Sequence, residues 1–387
     1  MYRGLYSESA VLHDVMLKVS RNRLECNMTS STTRVRCALV VFIGAGVIAS
    51  LAFGNDTKPA LNCDIVDGIV SICGLEKPED LIVAPNRRDI IFGQYSENGS
   101  LAILDTVKGS VHKLYPGSTS RIARSDFWGA PTCMTPSKTF QPHGIDLSQR
   151  SDGRWQLLVV NHGGRESVEF FELQLSKHDS TQLVWRGCAE APEQGSFNDV
   201  AALPDGGFLV THMADKDSEM WQLFLSLFGV DSGFVYRWDQ AKGYYPIVGT
   251  EGKMPNGVAV SPDGTTFFVN QYFDNELRKY DLATGDLLGA VSVEKPDNLS
   301  WNPQGRLYVA SQHASLFELI KSVNTKTAVP SLLPFSIYEV DPQTMQKKRL
   351  VERKGKPMGA GTVAVEVDGY LYIGSYLGDR MIKVAIE

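Results

Sequence analysis

"SFNDVAALPDGGFLV", Ser196 to Val210, is the stretch that decides the fold. Its second half is an apolar run behind a Pro-Asp-Gly-Gly turn, the pattern of a β-hairpin. Its first half sets two strongly hydrated side chains, Asn198 and Asp199, directly before residues that belong in a core. The same unit returns as "PEDLIVAPNRRDIIFGQY" from Pro78, "PHGIDLSQRSDGRWQLLVVNH" from Pro142, "PNGVAVSPDGTTFFVNQY" from Pro255, "PDNLSWNPQGRLYVASQH" from Pro296 and "AGTVAVEVDGYLYIGSY" from Ala360. Asp-Gly turns at Asp152-Gly153, Asp205-Gly206, Asp263-Gly264 and Asp368-Gly369 separate the two strands of four copies. Tails such as "GFVYRWDQAKGYYPIVG" and "NELRKYDLATGDLLGAVSV" add a third and fourth strand. Repeats of this length with up to four strands each predict an all-β chain, a six-bladed β-propeller over residues 62–387, because a single blade cannot bury both of its faces.

Two insertions break the repeat. Ser218–Gly229, "SEMWQLFLSLFG", and Ser315–Val323, "SLFELIKSV", have helical length and apolar residues on most sides. Two readings stand: helices packed into the core, or helices that cap the channel mouth and offer an apolar face to a lipid or hydrophobic substrate.

The chain of 387 residues is 43% hydrophobic, enough for a large core, and its formal net charge of −6 argues against a nucleic-acid partner. Ala38 to Phe53 is an uncharged apolar run behind Arg34 and Arg36, with small residues to its end. Residues 1–37 therefore read as a polar leader and 38–54 as a signal peptide or transmembrane anchor, making the protein exported or membrane-anchored. Export permits disulfides. Cys26 and Cys37 precede or lie within the targeting region, which leaves Cys63, Cys73, Cys133 and Cys188. Four cysteines allow three connectivities. The expected one is Cys63–Cys73 with Cys133–Cys188, and four reduced thiols are the alternative.

If each copy starts with the innermost strand, the residues opening the copies converge on the central axis. Those doublets are Glu79-Asp80, His143-Gly144, Asn198-Asp199, Asn256-Gly257, Asp297-Asn298 and Gly361-Thr362. Successive residues of an extended strand point in opposite directions, so two adjacent sites are expected. Both are rich in oxygen donors, which suits a hard cation such as Ca²⁺ better than zinc. Buried carboxylates without a counter-charge would cost several kcal/mol each, in order of magnitude. Asp and Asn at a strand start also form local turns with the backbone, and that reading covers any one doublet taken alone.

"KPEDL", "PHGI", "LLVVNHGGRESVEFFEL", "FNDV", "PNGVAVSPDG" and "PDNLS" together resemble the paraoxonase/arylesterase family, within the wider group of senescence-marker-protein and gluconolactonase-like propellers. The resemblance runs from about Cys63 to the C-terminus. It implies a catalytic calcium held by Glu79, Asn198, Asn256, Asp297 and Asn298. It also implies a structural calcium held by Asp80, Asp199 and the backbone carbonyl of Ile145, a histidine pair at His143 and His162, and a pocket-wall role for Thr362. Vertebrate members join an N-terminal cysteine to one near the C-terminus, whereas this chain ends "KVAIE", so Cys63 is paired locally with Cys73.

The chemistry expected is hydrolysis of a small-molecule lactone or aryl ester. Calcium would polarise the carbonyl and His143 would activate water, with His162 orienting it or relaying its proton. Glu79 and Asp297 are competing bases. His212 and His313 end corresponding strands and are expected to be structural. No Gly-x-Ser-x-Gly elbow is present, so no serine nucleophile is invoked. The alternatives are a sugar lactonase of the gluconolactonase type and a non-catalytic, calcium-stabilised binding propeller. Membrane or lipid association through the N-terminal segment and the apolar insertions is a further expectation.

Overall fold

Six sheets, antiparallel but for one added edge strand, form around one axis, and the alternating strands and turn residues of the repeat account for each of them. The computed structural model describes residues 63–117, 120–175, 181–226, 228–315, 318 and 330–386. The leader, the 38–54 segment, Cys26, Cys37, Asn62 and all of the second insertion except Ser315 and Glu318 lie outside the described residues. Among the described residues no helix is long and apolar enough to cross a membrane.

Blade 1 spans Pro78 to Tyr115, blade 2 Arg121 to Glu190, blade 3 Phe197 to Pro246, blade 4 Pro255 to Ser292 and blade 5 Pro296 to Arg353. Blade 6 is completed by both ends of the fold: strand Val70–Cys73 pairs antiparallel with Arg380–Ala385, Val70 opposite Lys383 and Cys73 opposite Arg380. This clasp closes the ring. Among the described residues five blades have four strands, and blade 2 has a fifth, Arg121–Ile122, added parallel to its outer strand. At Asp368-Gly369 both residues have positive φ, 50° and 77°, between the paired Val367 and Tyr370, the mirror-image turn that follows strand twist.

The core is a set of apolar layers between neighbouring blades. Ile91 and Leu101 of blade 1 meet Leu157, Phe171 and Trp185 of blade 2. Phe170 of blade 2 meets Phe208 and Trp238 of blade 3, with the Phe208 and Trp238 rings stacked 5.0 Å apart. The remaining layers repeat this arrangement round to blades 6 and 1. Cys63–Cys73 and Cys133–Cys188 are both disulfides, as expected, and the first lies on the clasp strand.

Of the two insertions, Glu219–Ser226 is a helix, and the core-packing reading does not hold for it. Trp221 is 58% exposed and Phe224 47%, and Phe228 just beyond the helix is 71% exposed. Their rings contact one another in a row instead. At the second insertion Ser315 and Glu318 exchange the reciprocal bonds of a capping box.

Candidate metal centre and histidine pair

The pairing between the first two strands of each blade slips at one place, and in all six blades that place is the opening doublet. Pro78 faces Gln94 and Leu81 faces Phe92, so Glu79 and Asp80 together oppose Gly93. His143-Gly144, Asn198-Asp199, Asn256-Gly257 and Asp297-Asn298 are the corresponding pairs. In blade 6 the slip between Gly361 and Ala364 makes the pair Thr362-Val363, which corrects the Gly361-Thr362 doublet by one residue. Each doublet is thus a β-bulge, a device that re-aims side chains by spending one unpaired residue. Simple strand alternation, from which two oppositely directed sets were expected, does not apply across a bulge.

Packing fixes which doublets carry two side chains. A Cβ on Gly144 would stand 2.4 Å from Asp199 Cα, so blades 2 and 3 approach too closely for any residue but glycine. Where the second residue is aspartate it stitches blades instead. Asp80 accepts the Leu81 N–H and, at 2.7 Å, the Ile145 N–H of blade 2. Asp199 accepts the Val200 N–H and, at 2.8 Å, the Val258 N–H of blade 4. Gly144 cannot make this stitch, and Asp146, two residues on, reaches the Ala202 N–H of blade 3 at 2.7 Å.

The first residues of four bulges, Glu79, Asn198, Asn256 and Asp297, with Asn298, the second residue of the blade 5 bulge, form a buried set of oxygens. Asn298 donates to Glu79 Oε1 at 2.7 Å, Gln312 donates to Asp297, and the Asn256 amide also bonds Asp297. Glu79, Asn198, Asn256, Asp297 and Asn298 are all buried. Glu79 Oε2 and the Oδ1 atoms of Asn198, Asn256 and Asn298 are nevertheless without a hydrogen-bond partner. So is Oδ1 of Asn270, whose residue sits opposite the blade 4 bulge and donates to the Asp297 carbonyl at 2.5 Å. Every one of these orphaned atoms is an acceptor. Unsatisfied buried polar groups are costly, and a cluster of acceptors alone is what a cation would satisfy.

Electrostatics agrees. Burial, then the neighbouring Asp80 and Asp297, pushes the Glu79 carboxyl well above its usual range. Burial alone is the first cause raising Asp80 and Asp297 to about 7 and Asp146 to about 6, and it raises Asp199 well above its usual range. Among the described residues no three His, Cys, Asp or Glu side chains stand close enough to hold a metal ion on their own. The first set has only two carboxylates, Glu79 and Asp297, and depends on amide oxygens for the rest. Of the second set, Asp80 bonds the Ile145 N–H, whereas Asp199 bonds Val258 of blade 4 and senses Asp80 through its charge.

His143 and His162 do come together. His143 Nδ1 lies 2.9 Å from His162 Nε2, and His143 Nε2 lies 3.7 Å from Glu79 Oε2. Burial, then His162, holds the His143 imidazole well below its usual range, so it is neutral at pH 7. Tyr95 stacks on His143 with centroids 4.7 Å apart. His212 and His313 are engaged elsewhere: His212 with Ser196 N–H and Asp215, His313 with Glu294 and Ser336. Thr362 donates to the Glu79 carbonyl at 2.6 Å and so joins blade 6 to blade 1.

Sequence reasoning missed Glu166, which bonds His162, and Asn270, Gln312 and Tyr95. Glu166 follows His162 by four residues across a tight turn, a spacing with no helical or strand meaning. Asn270 and Gln312 had a signal: polar side chains close the otherwise apolar second strands of the repeat, Gln312 and His212 at the last position and Asn270 at the last but one. A cavity of about 490 Å³ opens at the opposite end of the inner strands, lined by Asp146, Arg150, Gln156, Leu203, Val260 and Trp301 among others, and none of the six doublets lines it.

A profile described as "SMP-30/Gluconolactonase/LRE-like region" matches residues 95–330. Human serum paraoxonase/arylesterase 1 is 24% identical over 336 residues, 81% of this chain and 86% of that protein. The adipocyte plasma membrane-associated protein of Gallus gallus is 22% identical over 325 residues, 75% of this chain and 74% of that one. Among solved structures, a gluconolactonase from Xanthomonas campestris aligns over 82% of this chain and 89% of that chain, at 14% identity and a TM-score of 0.47.

Proposed function

The chain belongs to the SMP-30/gluconolactonase/LRE-like family, and on that premise we propose that it is a calcium-dependent hydrolase of lactones and aryl esters. The observation that carries this reading is the group of orphaned acceptors, Glu79 Oε2 with the Asn198, Asn256 and Asn298 amide oxygens, set beside a neutral histidine. Glu79, Asn198, Asn256, Asp297 and Asn298 would hold a catalytic calcium, and Asp80, Asp199 and the Ile145 carbonyl a structural one. When bound, calcium supplies Lewis-acid polarisation of a carbonyl and offsets the charge that develops on its oxygen.

The chain's own residues supply the rest. His143 Nε2 faces the oxygen set and accepts a proton from the attacking water, while His143 Nδ1 hands its proton to His162. The new C–O bond forms as the ester or lactone C–O bond breaks. The leaving oxygen recovers the proton through the same pair, giving an acid and an alcohol, or one hydroxy acid from a lactone. Tyr95 covers one face of His143 and limits its ring to this orientation.

The human relative's name couples it to aryl esters, and the row Trp221, Phe224 and Phe228 favours an apolar substrate or a lipid surface near blade 3. Export, through cleavage or retention of residues 38–54, belongs to the same reading and accords with the two disulfides. A sugar lactonase is the second reading, favoured by the gluconolactonase part of the family description. The test is an assay of the purified protein on phenyl acetate, γ- and δ-lactones of alkyl chains and an aldonolactone, with calcium and with chelator. Chelator-sensitive turnover of the apolar substrates is expected. Turnover of the aldonolactone alone selects the second reading, and no turnover of any of them, with chelator lowering only the melting temperature, leaves a binding propeller.

A further inference from the structure

The hydrogen-bond chain behind the histidine pair ends on Glu166, and valence counting along it assigns every proton. We propose that Glu166 is a positioning residue that fixes which nitrogen of His143 is free to take a proton. Glu166 Oε1 accepts the backbone N–H of Phe197 at 2.7 Å, and Oε2 lies 2.8 Å from His162 Nδ1. A carboxylate only accepts, so His162 Nδ1 carries hydrogen. With its N–H committed to Glu166 at Nδ1, His162 offers Nε2 as the acceptor, 2.9 Å from His143 Nδ1. His143 Nδ1 must therefore donate, and the lone pair of neutral His143 is left on Nε2, the nitrogen facing Glu79. Second partners of a histidine set its tautomer in this way.

The Phe197 contact makes the device one-way. Phe197 opens the inner strand of blade 3 and precedes Asn198, so Glu166 ties the histidine pair to a strand of the oxygen set. In Glu166→Gln the amide keeps the size of the side chain, but the backbone N–H of Phe197 still requires an oxygen. The amide oxygen is committed there, and the NH₂ group is turned on His162 Nδ1. Every bond in the chain then reverses: His162 Nε2–H donates to His143 Nδ1, and His143 Nε2 carries hydrogen where a base is needed.

The catalytic consequence rests on the hydrolase reading, whereas the tautomer does not. The test is ¹⁵N NMR of the full chain with labelled histidine, calcium-loaded, for wild type and Glu166→Gln, together with steady-state kinetics on phenyl acetate and a δ-lactone. Wild type is expected to show His143 Nε2 without an attached proton and Nδ1 with one, and Glu166→Gln the reverse. For the variant kcat should fall about 10⁴-fold, the scale of a mis-set histidine tautomer, with KM within about threefold and calcium binding unchanged. A proton on His143 Nε2 in wild type overturns the proposal, and so does a slowed variant whose tautomer is unaltered. If Glu166→Gln fails to fold, the wild-type spectrum decides alone. A wild type with the expected tautomer that hydrolyses nothing sinks the hydrolase reading and leaves the assignment of Glu166 standing.

Discussion

Asn198, Asp199, Asn256 and their neighbours do two different jobs from adjacent positions. Asp199 accepts two backbone N–H groups on two blades, so removing its side chain strands two buried donors. Asp199→Ala should therefore cost about 3 kcal/mol of stability, within the usual range for unsatisfied buried groups. Asn256 spends its amide on Asp297 and leaves Oδ1 unpaired, so Asn256→Ala should cost only about 1 kcal/mol. Its effect on kcat should be about 10²-fold or more, the scale of losing one preorganised group at a charged centre. Chemical denaturation alongside kinetics at saturating substrate separates the two. Equal destabilisation by both, with activity lost only in proportion to unfolding, would contradict this division. Much of the residue scale was legible: the doublets were marked by hydrated side chains in a phase that otherwise demands burial. Glu166 was not, because its partners His162 and Phe197 come from different blades and the turn that brings it round has no periodicity.

At the scale of elements, the inner strand with its bulge is the unit that matters. Repeats, Asp-Gly turns and apolar alternation made the strands and their order readable in advance. The bulge was not readable, since an extra residue in a strand changes no composition, and with it went the direction of each side chain and the phase of Thr362. Glycine in a doublet is the trace it does leave. Gly144 sits where a Cβ would meet Asp199 at 2.4 Å, so Gly144→Ala has to push blades 2 and 3 apart. Overpacking of this kind costs about 1 to 3 kcal/mol or more, and it also displaces Asp199 and the adjoining His143. The expected outcome is a melting temperature several degrees lower with activity reduced beyond the loss of folded protein, read by calorimetry and an ester assay on the same sample. A wild-type melting curve would mean that the blades do not approach as described. The helix Glu219–Ser226 shows the limit of pattern reading from the other side: apolar residues on most faces left core packing and an exposed apolar face both open, and Trp221 and Phe224 stand in solvent.

At the largest scale the six blades form a ring that concentrates carboxylates on its axis, and metal-free protein has to accommodate them. Asp80 and Asp297 are raised to about 7 and Asp146 to about 6, with Glu79 and Asp199 raised as well, chiefly by burial. A carboxyl whose folded pKa exceeds its unfolded value near 4 contributes stability below that value, and the contribution is lost as pH rises through the folded pKa. Chelated protein should therefore melt at a higher temperature at pH 5 than at pH 8, the fall already under way at pH 5 and levelling off above about pH 7. Calcium should add more stability at pH 8 than at pH 5, because protons compete for the same oxygens. A chelated protein that grows more stable toward pH 8 would contradict the burial of these groups. The ring, the number of blades and the closing clasp follow from six copies and the need to bury both faces of each blade.

The claim on which the account turns is that the orphaned oxygens at the bulges belong to a cation. It is tested most directly by calorimetric titration of calcium into metal-free full-length protein at pH 7, in two buffers of different ionisation enthalpy. Two ions per chain are predicted, bound with release of protons, one lost in Glu79→Gln and the other in Asp80→Asn. Fewer than two ions, or binding that neither substitution alters, would contradict it.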